Sequence, residues 1–247
     1  MLLLHGLGTT RHDFERILPL LAERFDALAV DLPGQGEARA LDVRPTVPAV
    51  VDAVEADLDD RGLERVHVLG NSLGARLALE LARRGRARSV VAIAPSGLSI
   101  PPERIGQVAG MALTGLAMRV LRPLVPSISE RRGGRTALLT GLRARPWEAT
   151  REEALALGAG VGAPNLWRLL WWAIATDIAI DLDEIDCPVL LAQGSADFVA
   201  AGQTMRFLPQ IRGSRFHVLP WAGHAAQGDA PSHVADLVRQ TAARAAA

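Results

Sequence analysis

The run Val66-His67-Val68-Leu69 leads directly into Gly70-Asn71-Ser72-Leu73-Gly74, and that pentapeptide leads directly into Ala75-Arg76-Leu77-Ala78-Leu79-Glu80-Leu81-Ala82-Arg83-Arg84. The first piece is short and apolar, as a buried strand is, and the last has helical spacing, so the five residues between them must make a strand-to-helix turn. A serine on so tight a turn sits in a strained backbone conformation, and side chains two residues to either side would collide, which is why glycine is required at 70 and 74. Strain of about 1 to 3 kcal/mol is tolerated where a reactive atom has to protrude. The plainer reading of Ser72, a helix-capping hydroxyl in a glycine-rich turn, accounts for less of the pattern.

Outward from this turn the same rhythm repeats. Short apolar runs at Leu2–Leu4, Ala27–Asp31, Val66–Leu69, Val90–Ala94, Val189–Ala192 and Phe216–Leu219 alternate with helical patterns at His12–Phe25, Thr46–Arg61, Leu73–Arg84, Gln203–Leu208 and from Ser232 to the C-terminus. Alternation of this kind predicts an α/β fold with a mostly parallel sheet covered by helices on both faces. Between Gly97 and Ile180 no strand-like run occurs, and the segment reads as a helical cap, residues 97–180, inserted into a core made of residues 1–96 and 181–247. Within it, Thr150 and Glu153 suit a capping box, and Asn165 suits the start of a helix running to about Ile178. Trp167, Trp171, Ile174 and Ile178 form one stripe of that helix and Leu166, Leu170 and Ala173 another, so it is expected to be sandwiched.

Composition excludes several function classes. The chain has 247 residues, 49% hydrophobic and 22% charged, enough for one sizeable core with a lid. Its 27 basic and 27 acidic residues cancel, so no field is present to gather nucleic acid or anionic lipid. The single Cys187 makes no internal disulfide, and neither a secretory leader nor an uninterrupted apolar run of membrane-spanning length is visible. The expectation is a cytoplasmic enzyme without metal or cofactor, acting on a small molecule.

A serine hydroxyl is a weak nucleophile unless a base takes its proton, and the base needs an orienting carboxylate. His224, in Trp221-Ala222-Gly223-His224 just past a strand, is placed to bring an imidazole over the sheet edge. His67 and His217 lie inside strands and read as packed groups, while His12 and His233 stand at helix starts. Asp197, in Gly194-Ser195-Ala196-Asp197, leaves the carboxyl edge of its strand, where reacting groups of such sheets gather. Asp31, ahead of Leu32-Pro33-Gly34, is its rival; Asp177, Asp181, Asp183 and Asp186 lack a strand ahead of them and read as a solvated face or helix caps. In His5-Gly6-Leu7-Gly8 the backbone turns sharply enough for the N–H of Leu7 to face a developing oxyanion together with that of Leu73, with His5 supporting the loop.

The elbow Gly70–Gly74, the acid Asp197 and the late His224, in that order, together with His5-Gly6 and Asp31-Leu32-Pro33-Gly34-Gln35-Gly36, resemble the α/β-hydrolase superfamily over almost the whole chain. The resemblance implies a nucleophile at Ser72, a base at His224, an acid at Asp197, oxyanion donors at Leu7 and Leu73, and a helical cap. Serine at 72 argues against the dehalogenase and epoxide-hydrolase branches, which use a carboxylate nucleophile. The resemblance implies an ester, thioester or lactone substrate cleaved through an acyl-enzyme. A carbon–carbon bond hydrolase of the meta-cleavage type is the alternative, whose members look like this in Gly-Asn-Ser but carry an aromatic residue where Ala225 stands. A non-hydrolytic binding or biosynthetic member of the fold is a further one. Four tryptophans in the insert (Trp147, Trp167, Trp171, Trp172) and the small residues Gly106, Ala109, Gly110 and Gly115 suggest helices packed around an apolar pocket, with Trp167, Trp171 and Trp221 as candidate lining. Family members carry two more strands before the His-Gly strand. The reading therefore expects these to be missing, with Phe25–Leu32 left as an exposed sheet edge and a candidate homodimer contact.

Overall fold

A computed structural model describes residues 1–161, 163, 165–200 and 202–245. Six strands form one sheet: β1 (Leu2–Leu4), β2 (Leu28–Val30), β3 (Val66–Asn71), β4 (Ala87–Ile93), β5 (Val189–Gly194) and β6 (Arg215–Leu219). Their spatial order is β2-β1-β3-β4-β5-β6 and every pairing is parallel. Parallel sheets are covered on both faces, and the strand residues divide accordingly. Leu2, Leu4, Val68, Val90, Ala92 and Leu191 pack into one apolar cluster with α2 (Val47–Asp60) and α3 (Leu73–Arg83). Leu3, Leu69, Val91, Ile93, Leu190 and Ala192 face the other way, onto Phe14, Ile17, the short α1 (Leu18–Ala22) and a long C-terminal helix.

β2 pairs only with β1 and is half-buried, so the edge expected around Phe25–Leu32 is where the sequence places it. The helix expected over His12–Phe25 is instead a 3-10 turn, Arg11–Phe14, followed by α1. Pro19 explains the break, since a proline inside a continuous helix removes a hydrogen bond and clashes with the preceding turn. The helix expected over Gln203–Leu208 is a 3-10 segment, Thr204–Gln210, with Pro209 inside it.

Between β4 and β5 the chain is helical, as expected: α4 (Pro101–Leu121), α5 (Val125–Glu130), α6 (Arg132–Leu139), α7 (Arg151–Val161) and α8 (Leu166–Leu169). The Thr150–Glu153 capping box forms in both directions, at 2.7 and 3.1 Å. α8 does not run on regularly to Ile178. It passes into a π turn over Leu170–Ala175, and Thr176 closes it by donating its hydroxyl to the carbonyls of Trp171 and Trp172. Nor is it sandwiched: Leu166, Leu169, Leu170 and Ala173 are buried, whereas Trp167, Trp171 and Ile178 are exposed. Gly115 on α4 lies against Leu166 and Trp167, while Gly106 and Gly110 have open space beside them. The run Pro101–Glu130 is long and apolar enough, by length and composition, to cross a membrane, although Arg104, Arg119 and Arg122 interrupt it. After β6 come α9 (Ala226–Asp229) and α10 (Pro231–Arg244).

α3 starts so close to β1 that a Cβ on Gly74 would overlap the carbonyl of Leu4, and one on Gly70 would overlap the backbone of Gly74 and Ala75. Gly74→Ala is expected to lower the unfolding free energy by about 3 kcal/mol, as overpacking against rigid backbone does. Gly62→Ala, where φ is +69° but nothing lies within 4 Å, should cost about 1 kcal/mol of conformational strain. Urea denaturation of the two variants measures the difference.

Candidate active site

Four loops at the carboxyl ends of the strands meet over the sheet. Ser72, immediately after β3, has φ 54° and ψ −113°, a left-handed conformation that a residue with a side chain adopts only under constraint. The constraint is visible: the Ser72 N–H donates to the carbonyl of Ile93 at 2.8 Å, and the Ser72 carbonyl accepts from Ser96 and Arg76. Leu73 opens α3, so its N–H is a first-turn amide without a helical acceptor.

His224 lies in the loop between β6 and α9, and three contacts clamp that loop. Asn71 donates its side-chain amide to the His224 carbonyl at 2.8 Å. The Ala225 N–H donates to the carbonyl of Leu142 at 2.9 Å, and the Gly223 N–H donates to Asp229 Oδ2 at 2.8 Å. Asp229 also accepts from the N–H of Ala144 and from Nε of Arg143, both at 2.8 Å. Arg143 donates in turn to Glu153 at 3.0 Å. The imidazole loop is thereby tied both to the sheet and to the helical stretch that precedes β5.

Asp197 follows β5 and meets the imidazole, with Nδ1 of His224 at 3.0 Å from Oδ2. Oδ2 also accepts from Nε2 of Gln193 at 2.7 Å, and Oδ1 accepts from the N–H groups of Val199 and Ala200 at 2.8 and 3.1 Å. Burial opposes charge on this carboxyl, but attraction to His224 and these hydrogen bonds win, holding it below the usual carboxylate range. Thr204 donates its hydroxyl to Oε1 of Gln193 and fixes the amide that serves Asp197.

The loop after β1 is held by different groups. Nε2 of His5 accepts from the N–H of Leu32 at 2.9 Å, which leaves Nδ1 protonated to donate to the carbonyl of Gly6 at 2.8 Å. Burial pushes the His5 pKa down to about 4. Gln35 accepts the N–H of Gly8 at 2.5 Å, so the loop after β2 braces the loop carrying Leu7.

Ser72, His224, Leu7 and Asn71 line one cavity of about 740 Å³. Among the described residues no hydrogen bond joins Ser72 Oγ to the imidazole; such contacts often tighten only when substrate is present. Along one face of α4, Gln107, Met111, Thr114 and Met118 form part of its wall, with Leu139, Leu157 and Leu166 beyond. Trp167, Trp171 and Trp221 are not part of that wall, and Trp221 is 79% exposed.

The other candidates are engaged elsewhere. Asp31 accepts from the N–H groups of Arg11 and Glu37 and pairs with the Arg11 guanidinium, outside the cavity lining. His217 and His233 contact each other at 2.9 Å, His12 pairs with Glu15, and His67 contacts Ser89 at 2.8 Å. Asp177 is not a solvated cap but pairs with the buried Arg76 at 2.9 Å. Sequence reasoning passed over Asn71, Gln35, Gln193 and Asp229, which hold the loops. Only Gln35 and Asn71, each inside a quoted motif, carried a local signal.

The chain belongs to the Alpha/beta hydrolase family, which it matches over residues 1–237. It is therefore an enzyme, a hydrolase, as its esterase-named relatives also support. It is 31% identical over 239 residues to a pimeloyl-[acyl-carrier protein] methyl ester esterase of Neisseria meningitidis serogroup B, covering 90% of this chain and 84% of that one. A shorter stretch of 48 residues, 19% of this chain and 22% of the other, is 58% identical to epoxide hydrolase EphH of Mycobacterium tuberculosis. In fold it is similar to the enol-lactonase from Burkholderia xenovorans LB400, with a TM-score of 0.75 and 20% identity over 97% of this chain and 89% of that one.

Because His5 is neutral in the fold and titrates near 6.5 once unfolded, the unfolded chain binds more protons between those values. Stability is then expected to fall as pH drops from about 6.5 to 4, by roughly 3 kcal/mol from this residue. His5→Gln, which can still accept from Leu32 and donate to Gly6, should remove this part of the slope in denaturation curves taken across that range.

Proposed function

We propose that the protein is a serine hydrolase that cleaves a carboxylic ester bearing an apolar part, through an acyl-enzyme. The observation that carries this reading is the pairing of His224 Nδ1 with Asp197 at 3.0 Å beside the strained Ser72 in one cavity. With Nδ1–H donated to the carboxylate, Nε2 keeps a lone pair and can take the Ser72 proton. Oγ then bonds to the ester carbon, and the carbonyl oxygen gathers negative charge against the N–H groups of Leu7 and Leu73. Collapse breaks the bond to the alcohol oxygen, which leaves with the proton from Nε2. Water, giving a proton to the same nitrogen, attacks the acyl carbon; the acid departs and Ser72 recovers its hydrogen.

Several observations favour an ester over the other bonds considered. The relative matched over most of both chains is named as a methyl ester esterase. Ser72 in place of a carboxylate leaves the epoxide reaction without its nucleophile, and Ala225 stands where the carbon–carbon hydrolases carry an aromatic. The helices over the cavity act as a cap supplying apolar wall through Met111, Met118, Leu139 and Leu157.

A fluorophosphonate probe should label Ser72 in the folded protein and fail to label Ser72→Ala. On p-nitrophenyl esters, Ser72→Ala and His224→Ala should each lose on the order of 10⁴-fold or more in kcat, since such residues act as a unit. Asp197→Asn should lose about 10- to 100-fold less than these. A larger loss in Asp31→Asn than in Asp197→Asn would transfer the acid's role to Asp31. Absence of labelling of the folded wild type would remove the hydrolase mechanism.

A further inference from the structure

Burying a polar atom without a partner is costly, so where such atoms collect is informative. Among the described residues, five side chains hold buried polar atoms with no partner: Asp13, Gln35, Ser96, Arg145 and Gln227. Three of the five, Asp13, Ser96 and Gln227, line the cavity that contains Ser72 and His224. Gln227 is the most exceptional, because it is only 1% exposed and neither Oε1 nor Nε2 is satisfied.

Asp13 and Gln227 belong to neighbouring elements. Asp13 is on the 3-10 turn Arg11–Phe14 and Gln227 is on α9, three residues beyond His224. Arg16, just after the turn, donates to the carbonyl of Gly228 at 2.8 Å and fastens the two elements together. Asp13 Oδ2 is shut off from solvent. Burial pushes its carboxyl up to about 6; Glu153 adds to that shift, while Thr9, Arg143 and His224 oppose it.

The charges nearby narrow what this corner can take. Arg16 and Arg145 reach this corner from behind, through the carbonyls of Gly228 and Asp229; among the described residues only the guanidinium of Arg143 lines the cavity, and it is committed to Glu153, Asp229 and the carbonyl of Gly228. Three carboxyls, those of Asp13, Glu153 and Asp229, surround it. A carboxylate or phosphate on a substrate would meet uncompensated negative charge, whereas a hydroxyl or amide could donate to Asp13 or Gln227 Oε1 and accept from Nε2.

We propose that Asp13 and Gln227 form a polar subsite of the cavity that binds an uncharged hydroxyl or amide group carried on the substrate's otherwise apolar chain. This rests on the ester-hydrolase reading and adds the substrate feature that the apolar wall does not specify. Both are specificity residues that touch the bound substrate away from the reacting carbonyl.

The test uses p-nitrophenyl esters of straight-chain alkanoic acids, the same acids with one hydroxyl moved along the chain, and a matched acid ending in a carboxylate. For wild type, at least one hydroxy ester should exceed its parent in kcat/KM by about 10-fold, chiefly through KM, as a hydrogen bond to a buried group provides. In Gln227→Leu and, separately, in the closer mimic Asp13→Asn, that ratio should fall toward one. The carboxylate ester should be the poorest of its length. Turnover without any hydroxy preference, a preference that survives both substitutions, or a preferred carboxylate ester would overturn the subsite while leaving the hydrolase reading standing. Failure of wild type to hydrolyse any of the esters would overturn the hydrolase reading and the subsite with it.

Discussion

The backbone of Gly74 rests on the carbonyl of Leu4 with no room for a single carbon between them. That contact sets how close α3 comes to β1, and much else follows from it. It brings the first-turn amide of Leu73 near the loop that carries Leu7. It forces Ser72 into its left-handed conformation, held by the hydrogen bond to Ile93 at the end of the neighbouring strand. A strained residue persists only where its surroundings over-determine it. Here the surroundings are two central strands and a helix, among the most thoroughly buried elements of the chain.

The remaining parts of the site lie on loops and must be immobilised by other means. The structure does this with buried polar networks in place of apolar packing. One runs from Thr204 through Gln193 to Asp197 and His224. A second runs from Glu153 through Arg143 to Asp229 and the amide of Gly223. Networks of this kind fix geometry when every member is satisfied and cost stability when one is not. The two networks meet at the loop of His224, so the imidazole is held from the sheet on one side and from the helical stretch on the other. The unsatisfied groups of the cavity stand out against this background of satisfied ones.

What the sequence disclosed follows from what each feature buries. Strands buried on both faces read as continuous apolar runs, and all six were placed to within three residues at either end. The elbow and the pairing of Asp197 with His224 were legible because sterics and proton transfer demand particular residue types at particular spacings. Helix continuity was less legible: Pro19 resets the local geometry within a stretch whose apolar spacing looked uninterrupted, and Pro209 does so just beyond the end of another. The tryptophans misled for another reason. An apolar side chain is not obliged to be buried, and Trp167, Trp171 and Trp221 stand exposed. Gln193 and Asp229 were invisible because what they hold, the Asp197 carboxylate and the N–H groups of Ala144 and Gly223, is brought to them only by the fold; Asn71 lies in the elbow, but the carbonyl it holds is 153 residues away.

Asn71 and the carbonyl it holds at His224 are 153 residues apart. A ribosome making this chain finishes the elbow early and then threads out the helices and three more strands, β4, β5 and β6, before His224 is made. On the proposed hydrolase reading, the nascent polypeptide carries Ser72 throughout that interval without the imidazole that would take its proton. Under that reading, reactivity arrives late in biosynthesis, after the helices that wall the cavity have been made.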